Sequence, residues 1–77
     1  MPTRTRAEIA DLVRATRQRL GLTQTQLAQL LGVWDQSVNR WENRQSMPLP
    51  MALKLIEGML RQTGDRGKDL LERYFAQ

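Results

Sequence analysis

Thr23 to Pro48 reads TQTQLAQLLGVWDQSVNRWENRQSMP, and two short helical patterns separated by Gly32 fill most of it. Thr23 with Gln26 three residues on is a capping box. The hydroxyl accepts a free N–H of the first turn, and the Gln side chain reaches back to the N–H of the cap residue. Leu22, just before the cap, is placed to pack on Leu27 as a hydrophobic staple. Leu27, Ala28, Leu30 and Leu31 supply the expected buried stripe. Gly32 ends it, because a sharp stop needs left-handed backbone. The second pattern buries Val33, Val38 and Trp41 and leaves Asp35, Gln36, Asn39 and Arg40 on its other side. Helix, glycine turn, helix is the layout of a helix-turn-helix unit.

The outward set carries chemistry. Gln36 and Arg40 are four apart and share a face, with Asn39 beside them. Glutamine can pair bidentately with adenine and arginine with guanine, so this face suits base edges in a major groove. Gln24 stands one residue past its cap, where free N–H groups and the positive end of the helix dipole favour a phosphate. Asp35 reads three ways: accepting from a cytosine amino group, capping the helix, or repelling phosphates that come too close.

At 77 residues the chain is expected to be one domain, near the lower limit for folding without staples. It has no cysteine and no histidine, which removes disulfides, the two commonest transition-metal ligands and the commonest general acid–base. The sequence carries no Walker loop, no paired carboxylates placed for a cleft and no nucleophile–base arrangement. The expectation is therefore no enzyme, no cofactor and no metal. No run approaches the ~18 apolar residues of a membrane span, and no apolar signal region opens the chain, so cytoplasmic residence is expected. The net charge of +4 and the pI near 10.7 favour polyanions. Residues 1–22 hold a net +3, residues 23–49 are neutral, and residues 50–77 add +1. Charge alone does not point at the central unit.

Outside that unit, Thr5 and Glu8 form a second capping box that starts a helix near Arg6. Ile9, Leu12, Val13, Thr16 and Leu20 give its stripe, and Gly21 its stop. After a polar loop from Asn43 to Leu49, Pro50 suits the first position of a fourth helix. Ala52, Leu53, Leu55, Ile56, Met59 and Leu60 give that helix a wide apolar face, so it is expected to be the most buried. Thr63-Gly64 breaks it. Asp65 is then expected to cap a fifth helix at about 65–76, carrying Leu70, Leu71, Tyr74 and Phe75. No β-periodic run, repeat or low-complexity segment interrupts the pattern.

From about Val13 to Leu60 the chain resembles the helix-turn-helix domains of the lambda-repressor, Cro and Xre type. LGLTQTQLAQLLGV, then SVNRWEN, then PLPMALKLIE follow that family's pattern in order and spacing. Gln24, Ala28, Gly32, Val38, Trp41 and Glu42 agree together. The resemblance implies an all-α fold of five helices, a lambda-repressor-like domain over 1–77, with the helix-turn-helix at about 23–43. It also implies that Gln24 contacts the DNA backbone, and that Arg17 and Glu42 form a partly buried ion pair. The chain departs from the family at two positions. Trp34 stands where Ser or Thr would cap the recognition helix, a loss that Ser37 or Asp35 would have to offset. Arg44 stands where Gly is usual, so either Asn43 takes the left-handed conformation or the loop follows another path.

The function implied is a sequence-specific double-stranded DNA-binding protein, a transcriptional repressor or autoregulator. Phosphate contacts are assigned to Arg17, Thr23, Gln24, Asn43 and Arg44, with Arg4 and Arg6 adding to them. Base reading is assigned to Trp34, Asp35, Gln36, Asn39 and Arg40. One helix reads only a few base pairs, so a homodimer on a two-fold site is expected, with the C-terminal helix either as its contact or packed on the core. The alternatives are an antitoxin that binds operator DNA and a toxin protein, or an interaction adaptor.

Overall fold

Thr5 opens the first helix as its spacing predicts: its hydroxyl accepts from the Glu8 N–H, and the Glu8 carboxylate accepts from the Thr5 N–H. The computed structural model describes residues 4–75, and within them the elements are α1 (Arg6–Leu20), α2 (Gln24–Leu31), α3 (Asp35–Glu42), α4 (Pro50–Thr63) and α5 (Asp65–Tyr74). No strand occurs among the described residues. Thr23 and Gln26 repeat the reciprocal cap at α2, and Pro50 stands in the first turn of α4. The expected end of the last helix at residue 76 lies outside the described residues.

Gly64, at φ 72° and ψ −130°, serves both the end of α4 and the start of α5. Asp65 already lies inside α5, which has no side-chain cap, so the cap expected of Asp65 is not made. Its carboxylate is then left to favour the positive end of the helix.

The core is Ile9, Leu12, Val13, Leu27, Ala28, Leu31, Val38, Trp41, Ala52, Ile56, Leu60, Leu70 and Tyr74. The most buried helix is α1, not α4. It touches α3, α4 and α5, and it buries Ile9, Ala10, Leu12, Val13 and Thr16. By contrast α4 packs mainly on α5, more lightly on α1 and α2, and buries only Ala52, Ile56 and Leu60. Leu55 on α4 and Leu30 on α2 remain exposed, because the burying neighbours cover a narrower stripe than the apolar residues span. Val33 is half-buried against the core instead of inside it. In α5, Leu70 and Tyr74 are buried, and Leu71 and Phe75 pack against the same cluster. Its apolar face therefore packs on this chain's own core, the second of the two roles expected of it.

Candidate nucleic-acid interface

Three helices meet at Glu42, the last residue of α3. Its side chain is only 2 % exposed, and Arg17 from α1 grips it twice. Arg17 Nε donates to Oε2 at 2.8 Å and Nη2 to Oε1 at 3.1 Å, while Nη1 donates to the Leu22 carbonyl at 3.3 Å. A fork of this kind fixes orientation as well as charge, so α3 is held at a set angle to α1. Arg17 is thereby turned inward. Arg14, one turn earlier on the same helix, adds its Nε at 3.5 Å from Oε1 and points Nη2 at the Glu42 carbonyl. Sequence reasoning passed over Arg14, although its spacing of three from Arg17 places both on one face.

A second seam is made of amides. Asn43 Nδ2 donates to the Asn39 carbonyl at 2.9 Å and to Asn39 Oδ1 at 3.0 Å. Gln24 Nε2 stands 3.5 Å from the same Oδ1, linking the start of α2 to the middle of α3. The Asn39 oxygen is thus already occupied from inside the protein, and among the described residues its Nδ2 makes no hydrogen bond. Asn43 likewise directs its amide donors at Asn39.

The start of α3 is bare of a cap: Trp34 makes no side-chain cap hydrogen bond and is 78 % exposed. Asp35 partly offsets the loss by accepting from the Gln36 N–H at 3.0 Å. Ser37 contributes only its backbone N–H, to the Trp34 carbonyl. Gln36, Asn39 and Arg40 are exposed along the outer face, opposite Val38, Trp41 and Glu42. Among the described residues no carboxylate lies within ion-pairing distance of Arg40. Residues 13–65 match the helix-turn-helix family.

The chain belongs to that family, in its lambda-repressor and Xre branch. No curated protein and no solved structure matches it. As a helix-turn-helix domain it is a DNA-binding regulator, with α2 and α3 as the two helices of the motif. Among the described residues no helix is long and apolar enough to cross a membrane, and no cluster of acidic side chains is arranged to hold a metal.

At the family's usual glycine position, neither expected outcome occurs. Asn43 stays right-handed at φ −94°, and Arg44 itself takes the left-handed conformation at φ 62°. Arg4 also differs from expectation. It donates to the Tyr74 carbonyl, lies 5.5 Å over the Tyr74 ring and reaches Glu8 at 3.6 Å, so it links the start of α1 to the end of α5.

Acid should loosen this framework. Burial pushes the Glu42 carboxyl up, but the Arg17 hydrogen bonds, Gln24, and the charges of Arg17 and Arg14 together hold it below its usual 4.5. At the junction of α1 and α5, Arg19 holds the Asp69 carboxyl down from 3.8 to about 2. A carboxyl depressed in the folded state contributes stability above its unfolded value and loses it as pH falls through the folded one. The melting temperature should therefore decline as pH drops below 4.5, with the Asp69 share lost between 3.8 and about 2. Thermal melts of Asp69→Asn should lack the lower part of that decline; an unchanged profile would remove Asp69 from the account.

Proposed function

We propose that the chain is a sequence-specific regulator of transcription, a repressor or autoregulator, that lays α3 in the major groove of double-stranded DNA. The observation that carries this is the division of α3. One face is locked into the scaffold by Val38, Trp41 and the Glu42 clamp, and the other presents Asp35, Gln36, Asn39 and Arg40 to solvent. Gln36 and Arg40 are the bidentate readers, for adenine and guanine. Asn39, with its oxygen engaged, donates through Nδ2 to a base or phosphate acceptor. Asp35 favours a cytosine amino group, and the Trp34 ring takes a thymine methyl or a sugar edge. Thr23 and Gln24 sit at the positive end of α2, where a phosphate is favoured, and Arg44 supplies a further backbone contact. Asn43 contributes mainly by fixing Asn39, and Arg17 by orienting α3.

A single helix covers few base pairs, so two copies on a two-fold site are needed for useful specificity. The exposed apolar start of α4, with Leu49 and Met51 each 75 % exposed, offers a surface for that contact beside α5. The same surface, with Trp34, favours the second reading, an antitoxin that also binds a toxin protein, or an adaptor. A partner protein that co-purifies with the chain would support it. The cytoplasm is the compartment proposed.

Selection of duplexes from a random pool tests the main reading, and two variants sharpen it. Arg40→Ala should cost ~1–3 kcal/mol on the selected duplex and relax preference at one position. Gln24→Ala should weaken all duplexes about equally, because phosphate contacts carry little base information. If Arg40→Ala kept the wild-type profile while Gln24→Ala altered it, α3 would not be the reading helix.

A further inference from the structure

Asn39 and Asn43 are four apart, so their side chains lie one above the other on the last turn of α3. Asn43 stays right-handed at φ −94°, which keeps its side chain over that turn. The bonds between the two fix which way each amide points. The main-chain carbonyl of Asn39 can only accept, so the Asn43 atom 2.9 Å from it is the nitrogen. That nitrogen also lies 3.0 Å from the Asn39 side chain, where a second NH2 group would repel it, so the Asn39 atom it meets is Oδ1. Gln24 Nε2 approaches the same oxygen from α2 at a longer 3.5 Å. Asn39 is exposed, and its Nδ2 has no hydrogen bond among the described residues.

An asparagine in a major groove ordinarily meets adenine with both atoms: its oxygen accepts from the N6 amino group while its nitrogen donates to N7. Asn39 has lost half of that pairing. What it offers is a donor with two hydrogens. Guanine alone among the bases carries two acceptors, O6 and N7, on its groove edge. Against this amide, adenine would bring an amino group with no acceptor to meet, and an unpaired donor in a closed interface is costly.

We propose that Asn43 sets the base preference at a position it does not itself read. By holding the Asn39 oxygen it makes Asn39 a pure donor, so that guanine is favoured over adenine at the base facing Asn39. The proposal rests on the DNA-binding reading and carries it from a free donor to a named base. Asn39 is then the reader and Asn43 the positioning residue. A phosphate oxygen is the other acceptor open to such a donor, and the test separates the two.

Duplexes are selected from a random pool by the wild-type chain and by variants at the two positions. Both residues are exposed, so the variants should keep the wild-type fold, which thermal melts check. Asn39→Ala should erase the guanine preference at one position and leave the others. Asn43→Ala frees the oxygen from its nearer partner, and adenine should gain on guanine there by roughly five- to tenfold. Asn43→Asp goes further. A carboxylate only accepts, so the Asn39 amide should turn round, with Nδ2 inward and Oδ1 outward, and the preference should move to adenine or cytosine, which carry groove-edge amino groups. The added negative charge should weaken all duplexes alike, so the change is read as a ratio between bases. An Asn39→Ala profile that kept its guanine would overturn the proposal. So would an even loss over all sequences, which would give the Asn39 donor to a phosphate. An Asn43→Asp profile that still preferred guanine would remove Asn43 from the account. A wild-type chain that selects no duplex would remove the DNA reading itself, and this proposal with it.

Discussion

Arg17→Ala is expected to cost about 3–5 kcal/mol of stability, a drop in melting temperature of roughly 12 °C or more for a domain of this size. The reason is what it leaves behind. Glu42 is 2 % exposed and would keep only Arg14, at 3.5 Å and half-exposed, in place of the two short bonds it now receives. A buried carboxylate without a matching partner is among the most destabilising groups a core can hold. Glu42→Ala should cost less, because the freed Arg17 side chain is 22 % exposed, can turn toward water and still has the Leu22 carbonyl. The double variant should be less unstable than the sum of the two singles. Denaturant unfolding of the four proteins measures this, and strict additivity would show that the two residues do not interact.

Gly67→Ala should also be strongly destabilising, by about 1–3 kcal/mol or more, although alanine is the better helix former by up to ~1 kcal/mol. A Cβ at Gly67 would lie 2.6 Å from the Leu60 carbonyl oxygen and 3.1 Å from the Leu60 Cα. Both contacts are backbone on a buried crossing of α4 and α5, so no side chain can move aside. The two helices would have to separate, and Leu60 and Leu70 would lose packing with them. Gly58 supplies the control. A Cβ there meets nothing within 4 Å, so Gly58→Ala in the middle of α4 should stabilise the protein by up to ~1 kcal/mol. Opposite signs at the two glycines, read from paired thermal melts, are the expected result. A Gly67→Ala protein as stable as the parent would mean that α4 and α5 pack less closely than described.

Local rules made most of the helix boundaries legible. Thr5 with Glu8, and Thr23 with Gln26, announce their helices because a cap satisfies its bonds within four residues. Gly21 and Gly32 announce the ends because only a glycine takes φ near +70° without strain. Legibility failed where the outcome depended on distant neighbours. Leu30 and Leu55 sit in apolar stripes, yet whether a stripe is covered along its full width depends on the angle at which another helix crosses it. The candidate interface divides the same way. That Gln36 and Arg40 share a face follows from their spacing alone. That the oxygen of Asn39 is engaged by Asn43 and Gln24 follows only once α2 and α3 are docked.

The sequence by itself determined the five helices, the helix-turn-helix and the residues able to face a groove, since these rest on contacts one to four residues apart. Tertiary structure alone decided that α1 forms the centre, that α5 closes the core, and that Arg14 joins the Glu42 clamp. It also decided that Arg44, not Asn43, turns left-handed. The physical reason is range. Capping and helical periodicity are settled by neighbours along the chain, whereas burial, ion pairing between helices and the conformation of a residue without glycine's freedom are settled by what the fold brings against them.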